Sequence, residues 1–149
     1  PQRPQEPQGP QGPQGPAGAD VFASFVAYMQ QFANASPISF APAATDPTGH
    51  IVQTSVTQVT LAPGTYFVTY NISAILEAAG YLQITPSYNG GPHIEYGIYF
   101  MTGEGRSSAV GSVSFIIAVP EETTFTLTYN SPLPGPEGSL TMVIFKLRR

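Results

Sequence analysis

The first eighteen residues keep a frame of three, PQR, PQE, PQG, PQG, PQG, PAG, with proline at positions 1, 4, 7, 10, 13 and 16. Gly9, Gly12, Gly15 and Gly18 hold the third place. Proline fixes φ near the polyproline II value, and where three such chains wind together only glycine fits beside the crowded axis. The frame therefore predicts a collagen-like tail, and with it a stoichiometry of three chains. Arg3 and Glu6 stand where glycine is required, so triple-helix geometry is expected only from about Gly9 onward. A Pro/Gln-rich stretch also serves as a plain extended linker. The ordered register, rather than the composition, favours the stalk.

After Asp20 the chain changes to short aromatic and β-branched runs separated by Pro, Gly, Asn and Asp, which is the pattern of strands and turns. The division is a tail over residues 1–19 and one head over 20–149, a length suited to a single core. Strands are expected over 21–29, 37–41, 50–61 in two pieces, 64–76, 81–88, 93–101, 107–119, 123–130 and 139–147. Period two is clearest where Tyr66, Val68, Tyr70 and Ile72 alternate with Thr65, Phe67, Thr69 and Asn71. Turns are read at Ala62–Pro63–Gly64 and Asn89–Gly90–Gly91. The run from Val21 to Phe32 also fits an amphipathic helix, since Phe22, Phe25, Val26 and Met29 share a face at helical spacing. Strand is favoured. Many short strands of this kind indicate an all-β sandwich, barrel or jelly roll.

Composition excludes several classes of function. Only 9% of residues are charged, the net charge is -4, and the basic residues are Arg3, Arg106, Lys146, Arg148 and Arg149. No basic stripe exists to neutralise phosphates, so no nucleic acid partner is expected. No run of eighteen apolar residues appears, and neither a membrane span nor a signal peptide is read. Cysteine is absent, which removes thiol catalysis, thiolate metal sites and disulfides.

The remaining chemistry is sparse. His50 and His93 are the two imidazoles and do not form a zinc-binding spacing. Read on a strand, His93 and Glu95 project from one face, yet one imidazole and one carboxylate fall short of a usual ligand set. Glu121 and Glu122 after Pro120 read as an exposed loop. Gly103–Ser108 reads as a turn, because it lacks the lysine ending of a phosphate loop. No Gly-x-Ser-x-Gly elbow is present. The chain is therefore expected to be non-enzymatic, with no catalytic residue, metal or cofactor. Asn34 and Asn71 match the N-glycosylation acceptor pattern, which matters only in a secretory host. The nine Phe and eight Tyr are assigned mostly to core and subunit interface.

A collagen-like tail running into a head with PheAlaSerPhe at 22–25 and ProGlyThrTyrPheValThrTyr at 63–70 resembles the complement and tumour-necrosis-factor superfamily. More narrowly, it is similar to the C-terminal heads of collagen-like glycoproteins of the bacterial exosporium. The likeness continues through ProIleSerPhe at 37–40, ThrGlnValThrLeu at 57–61, LeuGlnIle at 82–84 and the closing LeuThrMetValIlePheLysLeu. It implies a jelly roll of about ten antiparallel strands that assembles as a homotrimer at the tip of a stalk. Calcium bound at the apex of some relatives is not carried over, because no matching Asp cluster is present. The expected role is a structural tip of a surface filament on a spore or cell exterior, nucleating the stalk and presenting an outer face for adhesion. The alternative is a recognition head, such as a phage fibre tip, whose further partner is a host surface protein or a glycan. Phe22, Phe25, Ile144 and Phe145 are expected to support the trimer or its core near the stalk.

Overall fold

Strand after strand of the described residues, 20–149 of the computed structural model, buries every second side chain. The collagen-like frame expected over 1–19 lies outside the described residues. In chain order the strands are β1 (Val21–Phe32), β2 (Ser36–Pro37), β3 (Ala41–Ala44), β4 (Ile51–Ser55), β5 (Gln58–Leu61) and β6 (Gly64–Leu76). Then follow β7 (Gly80–Tyr88), β8 (Gly91–Pro92), β9 (Ile98–Thr102), β10 (Ser107–Val119), β11 (Thr123–Asn130) and β12 (Gly135–Leu147). One sheet runs β10-β6-β12-β1-β3. The other runs β4-β5-β11-β7, with β8 and β9 on β7 and β2 on β11. All pairings are antiparallel. The architecture is an all-β jelly-roll sandwich; apart from the two-residue β2 and β8 it has ten strands, as expected.

The alternation expected in β6 sets the core. Tyr66, Val68, Tyr70, Ile72, Ala74 and Leu76 all face inward, against Phe125, Leu127 and Tyr129 of β11 and Leu82 and Ile84 of β7. Of the four buried tyrosines, Tyr66, Tyr70 and Tyr129 each donate the hydroxyl to a backbone acceptor, as burial demands. Tyr66 Oη donates to the Ala62 carbonyl at 2.6 Å, Tyr70 Oη to Tyr96 at 2.8 Å, and Tyr129 Oη to Leu133 at 2.9 Å. Burial pushes the Tyr66 hydroxyl up to about 12, with the Asp46 charge adding to it, and pushes Tyr70 up further.

β1 is a strand, and the helical reading of Val21–Phe32 fails on its first turn. Phe25 is 3% exposed while Phe22 is 39% exposed, so the two point to opposite sides of a sheet. β1 bulges between Ala27 and Gln30, where Met29 takes φ 52°, and the shift returns Phe32 to the interior. Phe32 then lies over Gly138, where a Cβ would meet its ring at 2.5 Å. The Asn89–Gly90 turn has both residues left-handed, at φ 50° and 85°, as a type I′ hairpin between β7 and β8 requires.

Two expected strands are corrected. Residues 93–101 do not form one strand: a 3₁₀ turn, Ile94–Tyr96, follows β8, and pairing resumes only at β9. Pro92 lacks an amide donor, and His93 N instead donates to Pro86 O at 2.8 Å. Residues 37–41 do not form one strand either. Ile38 N donates to Leu127 O and Phe40 N to Val56 O, both at 2.8 Å, as the chain crosses from one sheet to the other between Pro37 and Pro42. β12 begins at Gly135 rather than 139, because its early residues pair with the bulged end of β1.

Phe125→Ala, which empties a fully buried site, is expected to lower the unfolding free energy by about 3–5 kcal/mol in denaturant titration. Tyr70→Phe, which leaves the Tyr96 carbonyl without its donor, should cost about 1 kcal/mol. A Phe125→Ala protein as stable as the unaltered chain would contradict this core.

Candidate functional site

The face of a sheet turned away from the core is ordinarily polar. In the five-stranded sheet it is not uniformly so. Antiparallel register places Phe22 opposite Phe145, Phe145 opposite Phe67, and Phe67 opposite Ile116, one outward row across β1, β12, β6 and β10. Phe22 and Phe145 rings lie 5.4 Å apart. Phe145 is 40% and Ile116 55% exposed, so the row is open in the single chain. Phe25 and Ile144, named with them for the trimer or its core, take the core place.

Beyond this row the outward residues turn to hydroxyls, carboxamides and small apolar groups. Ser24, Val143, Thr69 and Ser114 form the next row, and Ser114 Oγ donates to Thr69 Oγ1 at 2.9 Å. Val26, Thr141, Asn71 and Ser112 follow, with Asn71 Nδ2 donating to Thr141 Oγ1 at 3.1 Å. One of the two glycosylation acceptors thus sits within this face. The other, Asn34, is exposed and accepts from Ser131 N at 3.1 Å. Within the sheet's strands the charged residues are Glu137 and Lys146, at opposite ends of β12.

The aromatic row lies at the end of the sandwich where β1 begins and β12 closes. Asp20 precedes β1 and pairs with Arg148 after β12, Oδ1 to Nη2 at 3.2 Å. At the far end Arg106 joins Glu77 at 3.3 Å and Glu137 at 3.2 Å, tying the Gly103–Ser108 turn to the ends of β6 and β12. Sequence reading saw that segment only as a turn. Glu121 and Glu122 lie exposed between β10 and β11, in the loop expected for them.

His93 and Glu95 do meet, but across the 3₁₀ turn rather than on a strand face. Nδ1 lies 2.9 Å from Glu95 Oε1 and Nε2 lies 3.0 Å from the Tyr88 carbonyl, with the imidazole stacked on the Tyr88 ring at 3.8 Å. The hydrogen bond from His93 holds the Glu95 carboxyl below its ordinary value. Both ring nitrogens face protein oxygens, so the pair works as a clasp on the segment between β8 and β9. Among the described residues, no group of three or more His, Asp or Glu is placed to hold a metal.

A denser polar knot is built on Asp46, which sequence reading missed. Oδ1 accepts from Thr48 N at 2.8 Å and Thr48 Oγ1 at 2.6 Å, while Oδ2 accepts from His50 N and Ile51 N, both at 2.9 Å. The Asp46–Pro47–Thr48–Gly49 run was the available signal, being the composition of an Asx turn. Burial acts to raise this carboxyl, but the hydrogen bonds from Thr48, Ile51 and His50 outweigh it and hold the group below its ordinary value of 3.8.

No family model matches the chain, and no curated protein matches it. Solved structures do. The globular domain of zebrafish complement 1qA protein is similar over 88% of this chain and 99% of its own, with a TM-score of 0.64 at 15% identity. Eiger TNF from S. frugiperda is similar over 87% and 93%, with 0.60 at 12%. The PRD1 vertex protein P5 is similar over 89% and 100%, with 0.56 at 13%. At such identities the likeness establishes the jelly-roll fold.

A carboxyl titrating lower in the folded chain than in the unfolded one stabilises the fold above the unfolded value, and that stability is lost as pH falls through the lowered value. Denaturant stability should therefore fall below about pH 4. Asp46→Asn is expected to be less stable at neutral pH and to show a shallower acid decline; an unchanged acid slope would contradict the role given to Asp46.

Proposed function

We propose that this chain is the trimeric head of a collagen-like surface filament, of the exosporium or appendage type, acting outside the cell or spore. Its part is to bring three stalk chains into register and to present its outer surface for adhesion. The observation that carries this reading is the outward row Phe22–Phe145–Phe67–Ile116 beside the point where the tail enters. Apolar side chains aligned across four strands and left to water are a surface awaiting cover, and two further copies of the chain supply it. The number three comes from the glycine frame of the tail, because a triple helix takes no other stoichiometry. The jelly-roll likeness to the complement 1qA globular domain supports the reading.

In such an assembly each head holds an Asp20 close to its two counterparts. The tails are then at high effective concentration, and winding them becomes an intramolecular step. The head's role is structural, with no chemical step assigned to it.

A second reading, a recognition head, is favoured by the outward face of the other sheet. None of its strands contains a charged residue. Tyr81 and Tyr99 stack there with centroids 5.5 Å apart, Met101 lies opposite Tyr81, and Gln83 and Asn130 are paired neighbours. The likeness to the PRD1 vertex protein is compatible with it. A neutral-glycan array separates the readings, since a structural tip alone gives no signal.

Light scattering on the 149-residue chain at micromolar concentration should return three times its 15.8 kDa. Phe145→Asp should return the single-chain mass with unchanged far-ultraviolet circular dichroism, because its side chain lies outside the core. A single-chain mass for the unaltered protein would overturn the trimer.

A further inference from the structure

We propose that the outer face of the seven-stranded sheet binds a neutral glycan of flat pyranose rings with equatorial hydroxyls, at a site centred on Tyr99, Tyr81, Gln83 and Asn130. The proposal rests on the recognition reading and gives that reading its site and its ligand class. Register puts the four residues together: Tyr99 of β9 is opposite Gln83 of β7, and Gln83 is opposite Asn130 of β11. Tyr81, one step along the same face, stacks on the Tyr99 ring at 5.5 Å, and Met101 lies opposite Tyr81. Tyr99 is 59% and Met101 70% exposed, so the patch is reached directly from water.

The polar groups of the patch select the ligand. Gln83 and Asn130 are partly exposed, and among the described residues neither carboxamide has a hydrogen-bond partner. Each offers an acceptor oxygen and two N–H donors, so a ligand that satisfies both must donate and accept at neighbouring points, as vicinal hydroxyls do. Thr85 and Thr128, the next pair along the same face, continue the set with hydroxyls. The aromatic pair asks for a different side of the same ligand. The axial C–H bonds of an equatorial pyranose carry the slight positive charge that an aromatic face attracts. A ring with an apolar face and a rim of hydroxyls meets both demands.

Other ligands fit less well. The charged residues that flank the patch in the chain are Glu77, held by Arg106, Glu95, held by His93, and Glu104 in the turn after β9. An anion therefore meets no uncommitted cation, and the carboxylate of Glu104 lies beyond the strand end. An added peptide strand has no edge to pair with at Gln83, because β7 is paired on both sides, by β11 and by β9. The patch is also well placed for display. β7 begins just after the Glu77–Arg106 pair, so the patch lies toward the end of the sandwich opposite the start of β1.

The test is a titration of the uniformly ¹⁵N-labelled full chain with cellotetraose, a neutral chain of β-linked glucopyranose. The glucuronate and glucosamine tetramers of the same linkage, titrated separately in mildly acidic buffer, keep the ring geometry and add a charge to each ring. Cellotetraose is expected to saturate at about 1–10 mM, as a small ligand on an open face does. It should shift the Gln83 and Asn130 side-chain amides and the backbone of Tyr81, Tyr99 and Met101, and both charged tetramers should bind several-fold more weakly. Tyr99→Ala removes the stacking ring from an exposed position and should weaken cellotetraose binding roughly tenfold with the circular dichroism unchanged. No saturable shifts, shifts centred elsewhere, or tighter binding of a charged tetramer would overturn the proposal. A neutral-glycan array keeps it apart from the reading on which it rests: signal that Tyr99→Ala leaves unchanged removes the site alone, and no signal removes both.

Discussion

The backbone ladder between β6 and β10, thirteen pairs without a register shift, is the constraint from which the rest of the molecule follows. β12 extends it with nine pairs on the other edge of β6. Because side chains alternate with a period of two, one register decides both faces at once. With Tyr66, Val68 and Tyr70 turned in, Phe67 must be turned out, and it then aligns with Phe145 and Ile116. A slip of one residue would bury Thr65, Phe67, Thr69 and Asn71 and expose three residues that have no accessible surface. The core and the outward aromatic row are thus two results of a single pairing.

Charge is kept to the ends of this ladder. Asp20 and Arg148 pair at one end, where β1 begins, and Arg106 bridges Glu77 and Glu137 at the opposite end. These pairs are exposed, and such pairs contribute little to stability. Their placement matters more than their strength, because it leaves the middle of both outer faces free of charge. A face without charges can be covered by another copy without stranding an ion in a dry interface, where an uncompensated charge is strongly destabilising.

The sandwich was legible in the sequence wherever alternation ran long. β6, β10 and β11 stand where the Thr/Tyr/Phe/Ile patterns placed them, because each has a buried side and a wet side along its whole length. Reading failed where the chain leaves one sheet for another. Ile38 and Phe40 are as apolar as strand residues, but their amides bond to Leu127 and Val56 in crossing, which no local pattern reveals. His93 and Glu95 were correctly matched and wrongly placed, since Pro92 diverts the backbone into a 3₁₀ turn and the clasp depends on Tyr88 from another strand. Phe22 and Phe145 could be named near the stalk, but their alignment with Phe67 and Ile116 is a matter of register across four distant strands. The Asp46 knot left an Asx-turn composition at 46–49 as its trace, but the His50 and Ile51 amides that complete it are brought to the carboxylate by backbone geometry.

The central claim is that the head acts as nucleus for the stalk. Its most direct test fuses a longer Gly-x-y tract to the unaltered head and to a head carrying Phe145→Asp, then follows triple-helix circular dichroism during refolding from heat. The account predicts that the tract on the unaltered head rewinds at a rate independent of protein concentration, as an intramolecular step does, and that the Phe145→Asp fusion rewinds more slowly and with strong concentration dependence. Equal, concentration-dependent rewinding of the two fusions would contradict it.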